Sequence, residues 1–279
     1  MPSSRDAGKY FVLNDDALAS LRGVFLDIVR EGGAVAERFF HTGAKAWDKG
    51  GKLGPVTEAD LAVDALLKDR LTAALPEAAW LSEETADDPV RLGARYVWIV
   101  DPIDGTRAFV KKRPYFTVAA ALVEDGVPVL GAVFAPMLNE MFEARKGHGA
   151  RLNGVPIHVG RRTQIAGSRL LAYHQLLKSA RWRKPWPEVE LGMFNSIAYR
   201  IALVADGRFD GCLSLNPKSD WDVAAADLIL AEAGGVLSGN DGARFVYNRK
   251  RPLHPNIVAA NPAFHAGLLD KVRDYNPGR

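Results

Sequence analysis

The run Tyr96-Val97-Trp98-Ile99-Val100, followed at once by Asp101-Pro102-Ile103-Asp104-Gly105-Thr106, constrains this chain more than any other stretch. Its first five residues are β-branched or aromatic and read as a strand. The strand hands over to a turn that sets two carboxylates three residues apart and ends on a hydroxyl. Fixed carboxylates at the end of a buried strand suit hard divalent cations such as Mg²⁺, which take oxygen ligands and keep waters and substrate phosphates in their shell. Taken alone, the hexapeptide reads equally well as an ordinary turn, because Pro, Asp and Gly dominate turns.

Two other segments shift that balance. Leu81-Ser82-Glu83-Glu84 places adjacent carboxylates after the strand-like Ala79-Trp80-Leu81, a costly arrangement unless a cation or solvent separates the charges. Far downstream, in Trp221-Asp222-Val223-Ala224-Ala225-Ala226-Asp227, Asp222 opens a small-residue helix that runs to Ala233-Gly234-Gly235. Each acid alone reads as a surface residue or a helix cap. Together, each at the boundary of an element, they outline a site.

With these segments the chain resembles the inositol monophosphatase family, Mg²⁺-dependent, lithium-sensitive phosphatases that include the 3′(2′),5′-bisphosphate nucleotidases. The resemblance rests on Pro55-Val56-Thr57-Glu58-Ala59-Asp60, the Glu83-Glu84 pair, Trp98 to Thr106 and Trp221-Asp222-Val223-Ala224-Ala225. Gly147-His148-Gly149-Ala150-Arg151-Leu152-Asn153-Gly154 resembles the hairpin at the junction of that family's two subdomains. The match runs from about Phe25 to about Ala260, nearly the whole chain.

The resemblance implies hydrolysis of a small phosphomonoester by metal-activated water, with two or three Mg²⁺ ions per site. It assigns the ions to Glu83, Asp101, the backbone carbonyl of Ile103, Asp104 and Asp222. Asp60 and Thr106 correspond to the water-activating pair, Asp60 accepting the Thr106 proton and Glu83 assisting. The substrate would meet Asp104, Gly105, Thr106, Asn195, Ser196 and Asp222. The Gly105 and Thr106 N–H groups, at the start of a short helix through Phe109, would cradle phosphate oxygens, and Gly105 would permit their close approach. No serine or cysteine sits in a recognisable nucleophile elbow, and the six histidines show no metal-binding spacing. A homodimer is also implied.

The rest of the chain is consistent with that reading. Apolar residues Leu18, Leu21, Phe25, Ile28, Val35 and Phe39 recur at helical spacing between Asp15 and Phe40. A Gly- and Lys-rich connector, residues 41–54, follows; its Lys49 and Lys52 lie where the family keeps a basic residue near the site. Thr57 has the character of a helix cap, with Asp60 completing a capping box, for a helix to about Leu75. Strands are expected at Tyr96–Val100, Tyr115–Glu124, Val127–Ala135 and Glu140–Ala144, with a hairpin at Asp125-Gly126. Beyond Asn153-Gly154, helices at Ser196–Ala205, Asp222–Glu232 and Ala263–Val272 alternate with strands at Asp210–Leu215 and Ile257–Ala260.

An antiparallel-rich N-terminal half, residues 1–152, would carry most ligands, and an α/β half, residues 153–279, would complete the site. This agrees with the implied α/β (α+β) class and its layered α/β/α/β/α sandwich. A net charge of +3 with well-mixed signs allows anionic substrates and does not indicate nucleic-acid binding. Cys212 is the single cysteine, and neither a membrane span nor an apolar leader is visible, so a cytoplasmic protein is expected.

Three features bear on the substrate. Asn195-Ser196-Ile197-Ala198 aligns with a small Gly-Thr/Ser-Ala segment that contacts the sugar-like ring in inositol phosphatases, and Ile197 is bulkier than that pattern. Ser196 reads equally as a helix cap. Leu81-Ser82-Glu83-Glu84 resembles the nucleotidase branch, for which Arg107 and Lys111-Lys112-Arg113 would meet a second phosphate and Tyr247-Asn248-Arg249 a base or ribose. A 3′-phosphoadenosine 5′-phosphate nucleotidase is therefore the alternative within the same chemistry. A binding protein for RNA processing or transcription on the same fold is the alternative of another class, and it does not require intact metal ligands.

Overall fold

The computed structural model describes residues 12–48, 50 and 54–276. Helix α1 (Asp15–Thr42) starts where Asn14 accepts the Ala17 N–H at 2.8 Å. A two-stranded hairpin, β1 (Ala46–Asp48) and β2 (Pro55–Thr57), leads into α2 (Glu58–Ala74). The capping box read from Thr57 and Asp60 is present at its start.

Seven strands then form one sheet in chain order: β3 (Ala79–Ser82), β4 (Tyr96–Asp104), β5 (Thr117–Glu124), β6 (Val127–Ala135), β7 (Glu140–Arg145), β8 (Ala150–Leu152) and β9 (Val155–Ile157). Only β3 and β4 pair in parallel. A short helix, α3 (Thr106–Val110), follows β4. Asp125 and Gly126 both hold positive φ in the tight turn between β5 and β6, as do Asn153 and Gly154 between β8 and β9.

The second sheet is mixed. β10 (Arg169–Leu171), helix α4 (His174–Leu177) and β11 (Glu190–Gly192) come first, followed by α5 (Ile197–Ala205) and β12 (Gly211–Ser214). The small strand β13 (Lys218–Ser219) leads directly into α6 (Asp220–Glu232), and β14 (Val236–Ser238) follows. β15 (Leu253–His254) pairs back on β13, and β16 (Ile257–Ala260) and α7 (Pro262–Val272) complete the described elements. The sheet order is β11-β10-β12-β16-β14.

Three apolar clusters define the layers. α1 and α2 cover one face of the seven-stranded sheet, where Trp98 stacks on Phe25 with centroids 5.4 Å apart; truncating a buried Trp of this kind costs about 3–5 kcal/mol. α5 and α6 fill the space between the two sheets, and α7 covers the outer face of the second. The result is the expected α/β/α/β/α sandwich. α5 is apolar almost all round because it lies between two sheets rather than at a surface. No helix among the described residues is long and apolar enough to cross a membrane.

β4 departs from its expected end. It continues past Val100 to Asp104, and its pairing with β5 shifts register between Asp101 and Asp104. Val97 and Ile99 face the inner helices, whereas Trp98, Val100 and Ile103 face α1 and α2. In an unbroken strand, residues three apart point to opposite faces. The bulge adds the one residue needed to bring Asp101 and Asp104 to the same inner face. The reversal of direction falls later, at Gly105, whose φ is 98°.

Candidate active site

The two β4 carboxylates meet a third from the opposite half of the chain. Asp222 lies in the first turn of α6, and oxygens of Asp101, Asp104 and Asp222 all lie within 4.8 Å of one another. Each is held differently. Asp104 Oδ2 accepts the Ser196 hydroxyl and the Ala198 N–H, both at 2.7 Å, at the start of α5. Asp222 Oδ2 accepts the Ser219 N–H at 2.5 Å. Asp101 Oδ1 is buried and has no hydrogen-bond partner.

Burial first, then the charges of Glu83, Asp104, Asp222 and Asp60, raises Asp101 well above the ordinary carboxylate value. Asp104 is pushed to about 6, mainly by burial against the opposing hydrogen bonds from Ser196 and Ala198. Asp222 is pushed to about 7 by burial and then by Asp104. Among the described residues, none of the three forms a salt bridge. An orphaned buried oxygen and clustered acids without a cationic partner fit a hard divalent cation, which supplies the missing positive charge and takes oxygen ligands.

Beside the acids is the pair read from the sequence. Thr106 Oγ1 lies 3.2 Å from Asp60 Oδ1 and 3.1 Å from the carbonyl of Ile103. Its single proton serves one acceptor at a time. Asp60 Oδ2 is already taken by the N–H and the hydroxyl of Thr57, at 2.8 and 2.5 Å. The capping interaction therefore fixes Asp60 and leaves Oδ1 for Thr106. Burial raises Asp60 above its ordinary value, a proton-accepting tendency that the Thr57 and Thr106 hydrogen bonds partly oppose.

Glu83, Asp101, Ile103, Asp104, Gly105, Thr106, Asn195 and Asp222 line one cleft of about 520 Å³. Glu83 leaves the end of β3, where its N–H donates to Val100 O at 3.3 Å. Ser196 is not part of the wall. It is fully buried behind Asp104, caps α5 through the Tyr199 N–H at 2.9 Å and lies 3.0 Å from the Thr117 hydroxyl. Gly105 has a constraint beyond access: a Cβ there would sit 3.1 Å from the Ser196 backbone nitrogen.

Several expectations for a second phosphate and a base are corrected. Lys112 turns away to the carbonyl of Phe40, and neither Lys111 nor Arg113 lines the cleft; Arg107 and Lys218 do. Tyr247 is buried, with its hydroxyl donating to Asp227 Oδ2 at 2.7 Å, and Asn248 is tied to Asp220 and Arg91. Tyr247 and Asn248 brace the α6 side of the molecule instead of facing a ligand. Lys49 and Lys52 lie outside the described residues.

Sequence reasoning missed two supports of the site. Asp64, one turn after Asp60 on α2, accepts the hydroxyls of Ser82 and Thr85 and so tethers both sides of Glu83-Glu84. Its i+4 spacing from Asp60 was the available signal. Asp220 is buried, accepts from His254 Nε2 at 2.9 Å and the Asn248 N–H at 2.7 Å, and anchors the turn that carries Asp222.

Comparison with known proteins agrees with this geometry. The model of the inositol monophosphatase family matches residues 18–276. The 3′(2′),5′-bisphosphate nucleotidase CysQ of Aggregatibacter actinomycetemcomitans is 34% identical over 73% of this chain and 79% of its own length. The Nus factor SuhB of Escherichia coli K12 is 31% identical over 78% of this chain and 82% of its own. Among solved structures, the IMPase of Thermotoga maritima superposes with a TM-score of 0.77 at 26% identity, covering 89% of this chain and 95% of that one.

Proposed function

The chain belongs to the inositol monophosphatase family and is a phosphatase, and from that premise we propose that it hydrolyses a small phosphomonoester of the inositol monophosphate type with Mg²⁺. The observation that carries the proposal is the cage of Asp101, Asp104 and Asp222, with its orphaned Asp101 oxygen, beside the Thr106–Asp60 pair.

Asp101, Asp104 and Asp222, together with Glu83 and the Ile103 carbonyl, would hold two or three ions. When bound, the ions offset the carboxylate repulsion, hold the phosphate and ease both the entry of water and the departure of the ester oxygen. The protein's own part is proton handling and orientation. Thr106, donating to Asp60 Oδ1, has lone pairs left to accept a hydrogen from water. That contact aims the water's remaining lone pair, and the buried Asp60 carboxylate takes up proton density as the attack proceeds. Asn195 would face the leaving group, while Ser196 holds Asp104 from behind. Gly105 and Thr106 would present their N–H groups to the phosphate.

The site would be completed across two subdomains, residues 1–152 and 153–279. A homodimer and lithium sensitivity are carried over from the family resemblance. The fully buried Cys212 and the absence of a membrane-crossing helix accord with a cytoplasmic enzyme.

The CysQ relative supports the alternative substrate, 3′-phosphoadenosine 5′-phosphate. The deciding experiment measures phosphate release with Mg²⁺ from inositol 1-phosphate and from that bisphosphate, with and without EDTA and lithium. A hundredfold preference in kcat/KM assigns the branch. No metal-dependent release from any phosphomonoester rejects the catalytic reading and leaves a role of the kind the Nus factor relative's name denotes.

A further inference from the structure

The cleft does not stop at the acids. It adjoins a second basin of about 510 Å³, and Tyr173 lines both. The segment from Leu215 to Lys218 also runs along both, Leu215 and Asn216 on the second basin and Pro217 and Lys218 on the first. The far wall is formed by Tyr275 and Arg181, whose guanidinium donates to the Tyr275 hydroxyl at 3.3 Å. Tyr275 is itself packed against Trp182, with ring centroids 4.8 Å apart. Pockets of roughly 300–1,000 Å³ enclose drug-sized ligands, so a small polyol phosphate held at the acids needs only the first basin.

Charge is divided between the two. The first basin contains Glu83, Asp101, Asp104 and Asp222. No carboxylate lines the second among the described residues, and Arg181 does. Under the dividing wall lies Arg200, only 2% exposed, its guanidinium carbon 5.5 Å from the Tyr173 ring centroid. Arg200 Nη2 donates to the Asn195 carbonyl at 3.3 Å, while Nε and Nη1 are buried without a partner. A buried cation with unmet donors makes the wall above it favour negative charge. It also fixes Tyr173 and Asn195, the two residues a leaving group must pass.

Resting on the phosphatase reading of the first basin, we infer that the second basin takes the leaving group of the substrate. That group is a ring-bearing alcohol lying on Tyr173 and carrying a second anionic group to Arg181. The ester bond is still cleaved at the acids; Tyr173, Arg200 and Arg181 bind and position without taking part in bond making.

The test compares wild type, Arg181→Gln and Tyr275→Phe with Mg²⁺ on three substrates: adenosine 3′,5′-bisphosphate, adenosine 3′-monophosphate and inositol 1-phosphate. Arg183→Gln, a neighbouring exposed arginine outside the basin, is the control. Arg181→Gln should raise KM for the bisphosphate about tenfold, the equivalent of about 1.4 kcal/mol, with kcat retained. The ratio of bisphosphate to monophosphate kcat/KM should fall by the same factor, and Tyr275→Phe should lower it less. Equal effects on both nucleotides, or the same shift in Arg183→Gln, overturn the inference while leaving the phosphatase reading intact. No phosphate release by wild type from any of the three rejects both.

Discussion

Ser196 donates its hydroxyl to Asp104 Oδ2 at 2.7 Å, tying the first turn of α5 to the end of β4. The bond joins the two sheets' halves of the molecule at the site and leaves Oδ1 of Asp104 for the cleft. Because it stabilises the ionised carboxylate, removing it should lift Asp104 further above about 6. Ser196→Ala is expected to cost about 1–3 kcal/mol of stability and to raise the Mg²⁺ concentration needed for half-maximal turnover. A denaturant melt and a metal titration measure the two effects; an unchanged metal requirement would contradict the assignment of Asp104 to the cage.

Asp101→Asn and Asp222→Asn should each lower kcat by about a hundredfold or more, the lower end of what positioned catalytic groups contribute. The folds should persist. In EDTA near neutral pH both variants should melt higher than wild type, because a neutral amide removes one of three repelling acids. Calorimetry with and without chelator checks this, and a lower melting temperature in EDTA argues against mutual repulsion at the cage.

The same acids set a pH dependence. Asp104 at about 6 and Asp222 at about 7 lie above their ordinary 3.8, with Asp101 raised further. A group that holds its proton more tightly when folded contributes stability below its unfolded pKa and loses it as pH rises through the folded value. Chelated protein should therefore lose stability from about pH 4 to about pH 7, and millimolar Mg²⁺ should restore it at the upper end. A Tm profile that is flat across this range in EDTA would refute the raised values.

Asp60→Asn and Thr106→Ala should lower kcat by about 10²–10⁴-fold, the usual span of general-base assistance, with little change in KM. The double variant should be no slower than the worse single one, since both act on one water. Additive losses in a double-mutant cycle would mean the two residues work separately.

Asp64→Ala should slacken the Ser82–Thr85 segment and weaken the metal response without removing any residue of the cleft wall. Its expected signature is a raised Mg²⁺ requirement at saturating substrate, partly recovered by Asp64→Glu. A fall in stability alone, with metal dependence unchanged, would make Asp64 an ordinary buried polar anchor.

The parts of the fold that were legible are those set by local chemistry. β6 and β16 fall at their expected bounds, α1 follows its apolar spacing, and the Thr57–Asp60 capping box is present. The bulge in β4 was not legible, because a register shift is decided by the partner strand β5 and leaves no mark in Asp101-Pro102-Ile103-Asp104 itself. Nor was the burial of Ser196, which depends on Thr117 and Asp104 arriving from the other sheet. Arg200 did leave a trace: it is the one charged residue in the otherwise apolar α5, where an ionised side chain demands a reason. Tyr247-Asn248-Arg249 misled because polar and aromatic residues near a site look alike whether they bind a ligand or brace a helix.

The bulge gives β4 something like a reading frame. Upstream, sliding the strand by one residue would exchange its two greasy faces; downstream, it would aim one of the paired acids into the wrong layer. A single-residue deletion at Pro102 or Ile103 should thus be far more damaging than replacing either side chain, since every remaining residue would still be present and half of them would face the wrong way. At this point in the molecule, spacing is inherited more strictly than composition.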